Sequence, residues 1–264
     1  DRVPNRFPHA DLGSADATGW LYFRLGELLE ELKNKDCLKE YFSQTELQSL
    51  YTALVSRISA WMTKYMKDGL IHCKNLETWM DTGELVGDVR SGARIEIQCL
   101  FAAMLKTADI LGRLLGKKQV FTSQREEFLD IVRKHFYKDE FLWDGFNDST
   151  IRPNLFIAAY VCPELLTKNQ WVKCFTLVLP HLTLEYAEGT GISTIDKANP
   201  LFRGWHSGQT NESYHRGDSW FWINALTTIV LQRFSEKTVY KTSEKLKKLC
   251  VYSVWWDGAV GWLA

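Results

Sequence analysis

Residues Glu77 to Leu114 read ETWMDTGELVGDVRSGARIEIQCLFAAMLKTADILGRL and join two kinds of sequence. The first part, to Ala93, has no regular period and holds three glycines and four carboxylates with Trp79 and Arg90. From Ile95 the apolar residues Ile97, Leu100, Phe101, Met104, Leu105, Ala108, Leu111 and Leu114 recur at helical spacing, and Gly116 follows as a stop. A long loop bearing chemistry therefore runs straight into a long apolar helix.

The same alternation continues in both directions. Upstream, Leu47, Leu50, Tyr51, Leu54, Ile58, Trp61, Met62 and Tyr65 predict a helix begun by a Ser43–Glu46 capping box and stopped at Gly69. Downstream, Ser123 with Glu126 and Thr167 with Gln170 mark two more helix starts. Further helices are expected near 16–33, 152–162, 218–235 and 238–254, which makes eight. No strand-rich region stands out, though Glu140 to Gly145 has room for a short hairpin. No short sequence repeat is visible.

The connections fall into two sets. Those at 33–39, 116–119, 163–169 and 235–238 are short and charged, whereas those at 1–15, 72–93, 137–151 and 182–217 are long. Up-and-down helices place alternate connections at opposite ends, so one end should gather every long loop. Long structureless loops in a compact domain are usually functional. The expected fold class is all-α, a barrel of helical hairpins with one active end. Eight helices would leave a closed double ring incomplete.

Composition narrows function mainly by exclusion. The chain has 264 residues, 45% apolar and 24% charged, and its 32 basic and 32 acidic residues cancel. No charge surplus favours nucleic acid, a membrane surface or an acidic substrate. No apolar run is long enough to span a bilayer. The chain opens at Asp1 without a visible signal peptide, which is compatible with a missing upstream segment. Six dispersed cysteines without a CxxC pair suggest reduced thiols in a cytoplasmic protein. His72-Cys73 and His206 lack any metal-ligand spacing, and Asp144 to Asp148 lacks the oxygen pattern of a calcium loop and reads as an ordinary turn. The 11 tryptophans are unusual, and Trp79, Trp143, Trp205 and Trp255 fall in stretches read as polar loops. Such residues are either core lids or flat platforms for sugar rings.

Within the opening stretch, Trp79 and Asp81 sit in the loop, and Glu96 lies one turn into the helix beside Arg90 and Arg94. Two readings fit. Glycosidases need a pair of carboxylates, one to protonate the leaving oxygen and one to activate water or attack carbon. Alternatively, this is a helix-entry loop whose acids pair with Arg90 and Arg94.

Thr78-Trp79-Met80-Asp81, then an Arg, a Gly and Ile95-Glu96-Ile97-Gln98, resembles the glucosidase domain of archaeal and bacterial glycogen debranching enzymes. Three further segments are similar to that family in the same order. They are Pro4-Asn5-Arg6-Phe7 with Ser14-Ala15-Asp16-Ala17-Thr18-Gly19-Trp20, then Arg152-Pro153-Asn154, then Tyr214-His215-Arg216-Gly217-Asp218-Ser219-Trp220. Together they cover nearly the whole chain.

The resemblance implies an (α/α)6 barrel shared with glucoamylases, forming a single domain over residues 1–264 and incomplete in this chain. It implies inverting hydrolysis of α-1,6 branch points in glycogen or a branched malto-oligosaccharide, with no metal and no organic cofactor. Asp81 would be the general acid, with its pKa raised and Trp79 packed beside it. Asp16, Arg90, Glu96, Arg152 and Asn154 would bond sugar hydroxyls, and His215 and Trp220 would line the innermost subsite. The family's base is a Glu shortly after a G-x-x-G element. Here Gly258 to Gly261 is followed only by Trp262-Leu263-Ala264, so the base is expected beyond Ala264, with Glu212 and Asp218 as fallbacks. Three other readings stay open: an exo-acting α-glucosidase of glucoamylase or trehalase type, a helical carbohydrate-binding or scaffold protein without turnover, and an α-toroid prenyl cyclase or transferase. The last lacks a DDxxD motif.

Overall fold

The computed structural model describes residues 2–4, 13–81, 90–117, 121–234, 237–256 and 262–263. Asn5-Arg6-Phe7 and the Gly258 to Gly261 element lie outside the described residues. The helices are α1 (Ala15–Asn34), α2 (Leu38–Tyr41), α3 (Gln44–Tyr65), α4 (Ile95–Leu114), α5 (Thr122–Phe136), α6 (Asn154–Val161), α7 (Lys168–Leu182), α8 (Phe221–Phe234) and α9 (Lys237–Trp256). Between them lie short antiparallel pairings: β1 (Val3–Pro4) with β2 (Gly13–Ser14), β3 (Met66–Lys67) with β4 (Leu70–Cys73) and β5 (Gly92–Ala93), β6 (Tyr137–Lys138) with β7 (Phe141–Leu142), β8 (Thr183–Tyr186) with β9 (Gly189–Ile192), and β10 (Ser219–Trp220) with β11 (Trp262–Leu263).

All eight expected helices are present, and the four-residue α2 is an addition that begins at the end of the connection read as 33–39 and runs past it. The capping boxes of α3 and α7 form as their sequences require: Ser43 and Thr167 each accept from the third residue's N–H, and Glu46 and Gln170 reach back to the cap. Two local readings need correction. α5 starts at Thr122, where Asp109 of α4 accepts from Phe121 N and Thr122 Oγ1 at 3.1 and 2.8 Å, so a tertiary acceptor rather than Ser123 holds the start. Trp255 lies in α9, not in a loop.

The hairpins are largely illegible in the sequence. α3, α5 and α7 each run without a break into one. In the first two, both central turn residues have positive φ: Asp68 (52°) and Gly69 (77°), then Asp139 (52°) and Glu140 (65°). That is the turn whose twist matches a two-residue hairpin. Gly69 therefore makes a turn rather than ending the helix. The segments Met66-Lys67-Asp68-Gly69-Leu70-Ile71 and Tyr137-Lys138-Asp139-Glu140-Phe141-Leu142 share Lys-Asp and the flanking apolar pattern, a weak internal repeat. Strands of two to four residues carry too little alternation to stand out beside helices of twenty.

The contacts gather into two compact units. The first comprises residues 1–81 and 90–134, and the second residues 82–89 and 135–264. The centre of the first is α4, with seventeen of its twenty residues buried, against four of twenty-two in α3. α1 lies tight against α4 because of two glycines. An added Cβ at Gly19 would come 2.5 Å from Leu100 Cβ, and one at Gly26 would come 2.5 Å from Thr107 Oγ1. Trp61 of α3 stacks on Phe101 of α4, which Phe128 of α5 meets edge-on.

In the second unit α6 is buried at seven of eight residues. Phe156 of α6, Trp171 and Phe175 of α7, and Phe234 of α8 form one aromatic cluster, with ring centroids 5.3 to 6.2 Å apart. Pairs of this kind add about 0.5–1.5 kcal/mol each beyond their buried area. In the first unit the start of α1 bonds the loop before α4, Ala15 N to Glu77 O, and in the second Arg152, just before α6, bonds the backbone of Thr194 and His215.

Candidate active site

In the first unit the N-terminus of α1 pins the loop before α4. Ala15 N donates to Glu77 O at 2.8 Å. Arg2 forms an ion pair with Glu77 and lies over the Tyr65 ring, 3.9 Å from its centroid. Gln98 of α4 bonds both backbone groups of Ile71, each at 2.8 Å, and so continues the pairing of β4 with a side chain. The loop carrying Trp79 and Asp81 is thus anchored from three directions.

Beneath this loop lies an ion pair closed off from water. Arg90 Nη1 donates to Glu96 Oε1 at 2.9 Å and Nη2 to Oε2 at 3.3 Å, with side chains 3% and 0% exposed. Thr78 Oγ1 accepts from the same guanidinium at 3.0 Å. Of the two sequence readings, pairing with an arginine holds for Glu96. Charges this deep are stable only when matched and hydrogen-bonded.

Asp16, 7% exposed, sits in the first turn of α1. Its carboxylate accepts from the Ser14 hydroxyl, from Ala17 N at 2.7 Å and from the backbone of Trp79. Burial pushes its pKa up; these donors pull it down, and the charge of Asp81 adds to the rise. Asp81 is exposed, next to residues 82–89, which lie outside the described residues, and Trp79 is half-buried. Asp16, Trp79, Asp81, Arg90 and Glu96 thus belong to one neighbourhood.

The raised pKa of Asp16 makes stability depend on pH. The folded state holds its proton more tightly than the unfolded chain, so stability is lost as pH rises from about 3.8 through the folded value. Asp16→Asn removes that titration. We expect the difference in Tm between Asp16→Asn and the parent to shift in the variant's favour as pH rises from about 3.8 through the folded value, then to level. Parallel Tm curves over that range, from scanning calorimetry, would contradict it.

In the second unit Arg152 Nη1 donates to His215 O at 2.7 Å and Thr194 O at 3.2 Å. Asn154, at the start of α6, donates to Asp144 Oδ1 at 2.6 Å, and both are buried. Asp144, read in the sequence as part of an ordinary turn, thus joins the neighbourhood of Asn154, which spacing does not reveal. His215 stacks on Trp220 at 5.9 Å and 17°, and Trp220 Nε1 donates to Tyr214 O at 2.8 Å. Arg152, Asn154, His215 and Trp220 form the second neighbourhood. Asp218, a fallback base, is 2.9 Å from His206 Nδ1 and 8% exposed, whereas Glu212 is exposed.

Burial pushes the thiols of Cys73 and Cys174 up to about 12, leaving both protonated at neutral pH. Among the described residues no group of three His, Cys, Asp or Glu is placed to hold a metal ion, and no helix is long and apolar enough to cross a membrane.

Solved structures of similar fold include two of the GH63 mannosylglycerate hydrolase from Thermus thermophilus. The complex with glucose has a TM-score of 0.63 at 12% identity, covering 96% of this chain and 70% of that one. The complex with Tris has a TM-score of 0.61 at 11% identity, covering 96% and 74%. A structure titled sialidase matches at a TM-score of 0.60 and 16% identity over 77% of this chain, which spans only 20% of that one. The fold is therefore the mainly helical, (α/α)6-type class of the GH63 glycosidases. Residues 2–256 match the family described as amylo-alpha-1,6-glucosidase, and the chain belongs to that family. It is a glycoside hydrolase by family. The curated protein sequences compared with it returned no match.

Proposed function

We propose that the protein hydrolyses α-1,6-glucosidic branch points of a glycogen-type glucan with inversion, and that Asp81 gives the leaving oxygen its proton. One observation carries this reading: within a chain of the amylo-alpha-1,6-glucosidase family, Asp81 stands on a loop held by α1, β4 and the Arg90–Glu96 pair, with its carboxylate exposed. In the first unit Asp16 and Trp79 would contact sugar beside Asp81, with the buried Arg90–Glu96 pair holding their loop. In the second unit, taken by itself, His215 and Trp220 would offer sugar a ring face, with Arg152 and Asn154 fixing the backbone and side chains around them. Inversion requires a second carboxylate about 6.5–9.5 Å from the acid, leaving room for water. Asp218 is already committed to His206, which makes it a poor candidate for that base.

The test is a substrate panel read by proton NMR. Singly α-1,6-branched malto-oligosaccharide should be cleaved at the branch, and the first glucose released should be the β-anomer. Maltose, trehalose and mannosylglycerate should be cleaved at least tenfold more slowly. Faster cleavage of a linear or non-reducing disaccharide would replace the debranching assignment with an exo-acting one. Release of α-glucose would remove inversion.

A further inference from the structure

The second unit contains a cleft of about 310 Å³ that shares no lining residue with Arg152, Asn154, His215 or Trp220. It lies between β8, the loop around residues 202–206, and the segment 217–219. That volume is at the small end of ligand pockets, roughly 300–1,000 Å³. We propose that this cleft is a carbohydrate subsite that holds one or two glucosyl units of a malto-oligosaccharide branch, with Trp205 as its stacking platform. The inference rests on the α-glucan reading above for the identity of the sugar.

Three observations lead there. First, the walls are aromatic on several sides. Tyr186, Phe202 and Trp205 all line the cleft, and Trp205 is 70% exposed, an unusual position for the largest apolar side chain. A pyranose ring offers a face of C–H groups to the electron-rich face of such a ring.

Second, the polar groups of the lining have partners. Asp218 lies 2.9 Å from His206 Nδ1, Glu185 faces Lys245 Nζ at 3.2 Å, and Arg203 donates to the carbonyls of Leu201 and Phe202. Burial, with the Asp218 charge nearby, holds the Tyr186 phenol above its ordinary value, so it remains a neutral hydroxyl. Partnered polar groups and fixed hydroxyls suit a neutral, hydroxyl-rich ligand better than an anion or a cation.

Third, the cleft is built by close backbone approach. A Cβ on Gly217 would fall 1.9 Å from Arg203 O, and one on Gly191 would fall 2.3 Å from Ser219 Oγ and 2.9 Å from Tyr186. The His206 ring is stacked on Tyr214, at 6.0 Å and 7°. Floor and rim are therefore set by the fold and not by side chains drifting over a surface.

The experiment titrates the full chain with maltohexaose by calorimetry and follows the indole N–H signals by NMR, assigning Trp205 from its loss in Trp205→Ala. A second titration uses 1-deoxynojirimycin, a monosaccharide mimic directed at the innermost subsite. Trp205→Ala should weaken maltohexaose at least tenfold, Trp205→Phe should restore most of that loss, and both should bind the iminosugar as the parent does. The parent's Trp205 signal should move with maltohexaose. If Trp205→Ala and Phe202→Ala both bind maltohexaose within twofold of a parent that binds the iminosugar, the subsite is overturned and the α-glucosidase reading survives. A parent that binds neither ligand overturns both.

Discussion

Asp81→Asn should lower turnover on an α-1,6-branched glucan by about 10²–10⁴-fold, the range that a positioned proton donor contributes. Asparagine keeps the size and hydrogen-bonding reach of aspartate but has no acidic proton for the glucosidic oxygen. Asp81 is exposed, so the exchange leaves no cavity and buries no new group, and Tm should move by less than about 1 °C, as for an ordinary surface substitution. Affinity for a non-hydrolysed glucan should change little. The informative control is α-glucosyl fluoride, whose leaving group needs little protonation. Asp81→Asn should recover most of the parent's rate on it. Near-parent turnover on the branched glucan would remove Asp81 from the chemistry. A loss shared by both substrates would mean that the aspartate acts on binding or water activation, not on proton donation.

Glu96→Ala should be among the most destabilising single changes in the first unit. It leaves the Arg90 guanidinium buried opposite a cavity, still bonded to the Thr78 hydroxyl but stripped of its matching charge. Breaking a buried ion pair from one side costs about 3–5 kcal/mol. At roughly 2–4 °C per kcal/mol for a chain of this size, Tm should fall by roughly 6–20 °C. Removing both charges, as Arg90→Met with Glu96→Leu, should recover most of the loss, since an apolar pair of similar volume carries no desolvation cost. Thermal melts of the three proteins test this. A drop of less than about 1 °C for Glu96→Ala would show that water reaches the pair. The double variant also separates two roles: if Arg90 and Glu96 touch sugar, regained stability will come without regained activity.

These two residues show different degrees of legibility. Asp81 is legible through a local pattern, Thr78-Trp79-Met80-Asp81, because a loop acid beside an aromatic is written contiguously. Glu96 and Arg90 stand out in the same stretch, but spacing cannot choose between sugar binding and mutual pairing. The choice depends on burial, and burial depends on what α1 and β4 place over the start of α4. Asp144 is hidden for the same reason. In sequence it belongs to a turn, and only the approach of Asn154 from the first turn of α6 gives it a partner.

By itself, the sequence determined the helices. Apolar spacing and the two capping boxes are local signals, energetic within a few residues, and they located every long helix to within a few positions. Through its motifs it also determined the family. Only the tertiary structure decided the hairpins after α3, α5 and α7, whose strands are too short to show a period. Tertiary contacts likewise decided the start of α5, held by Asp109 across a helix interface. The cleft beside Trp205 belongs to the same class. It is made by glycines 191 and 217 admitting backbone and side chains from distant positions. Such contacts form between residues with no sequence relation, so no window along the chain contains them.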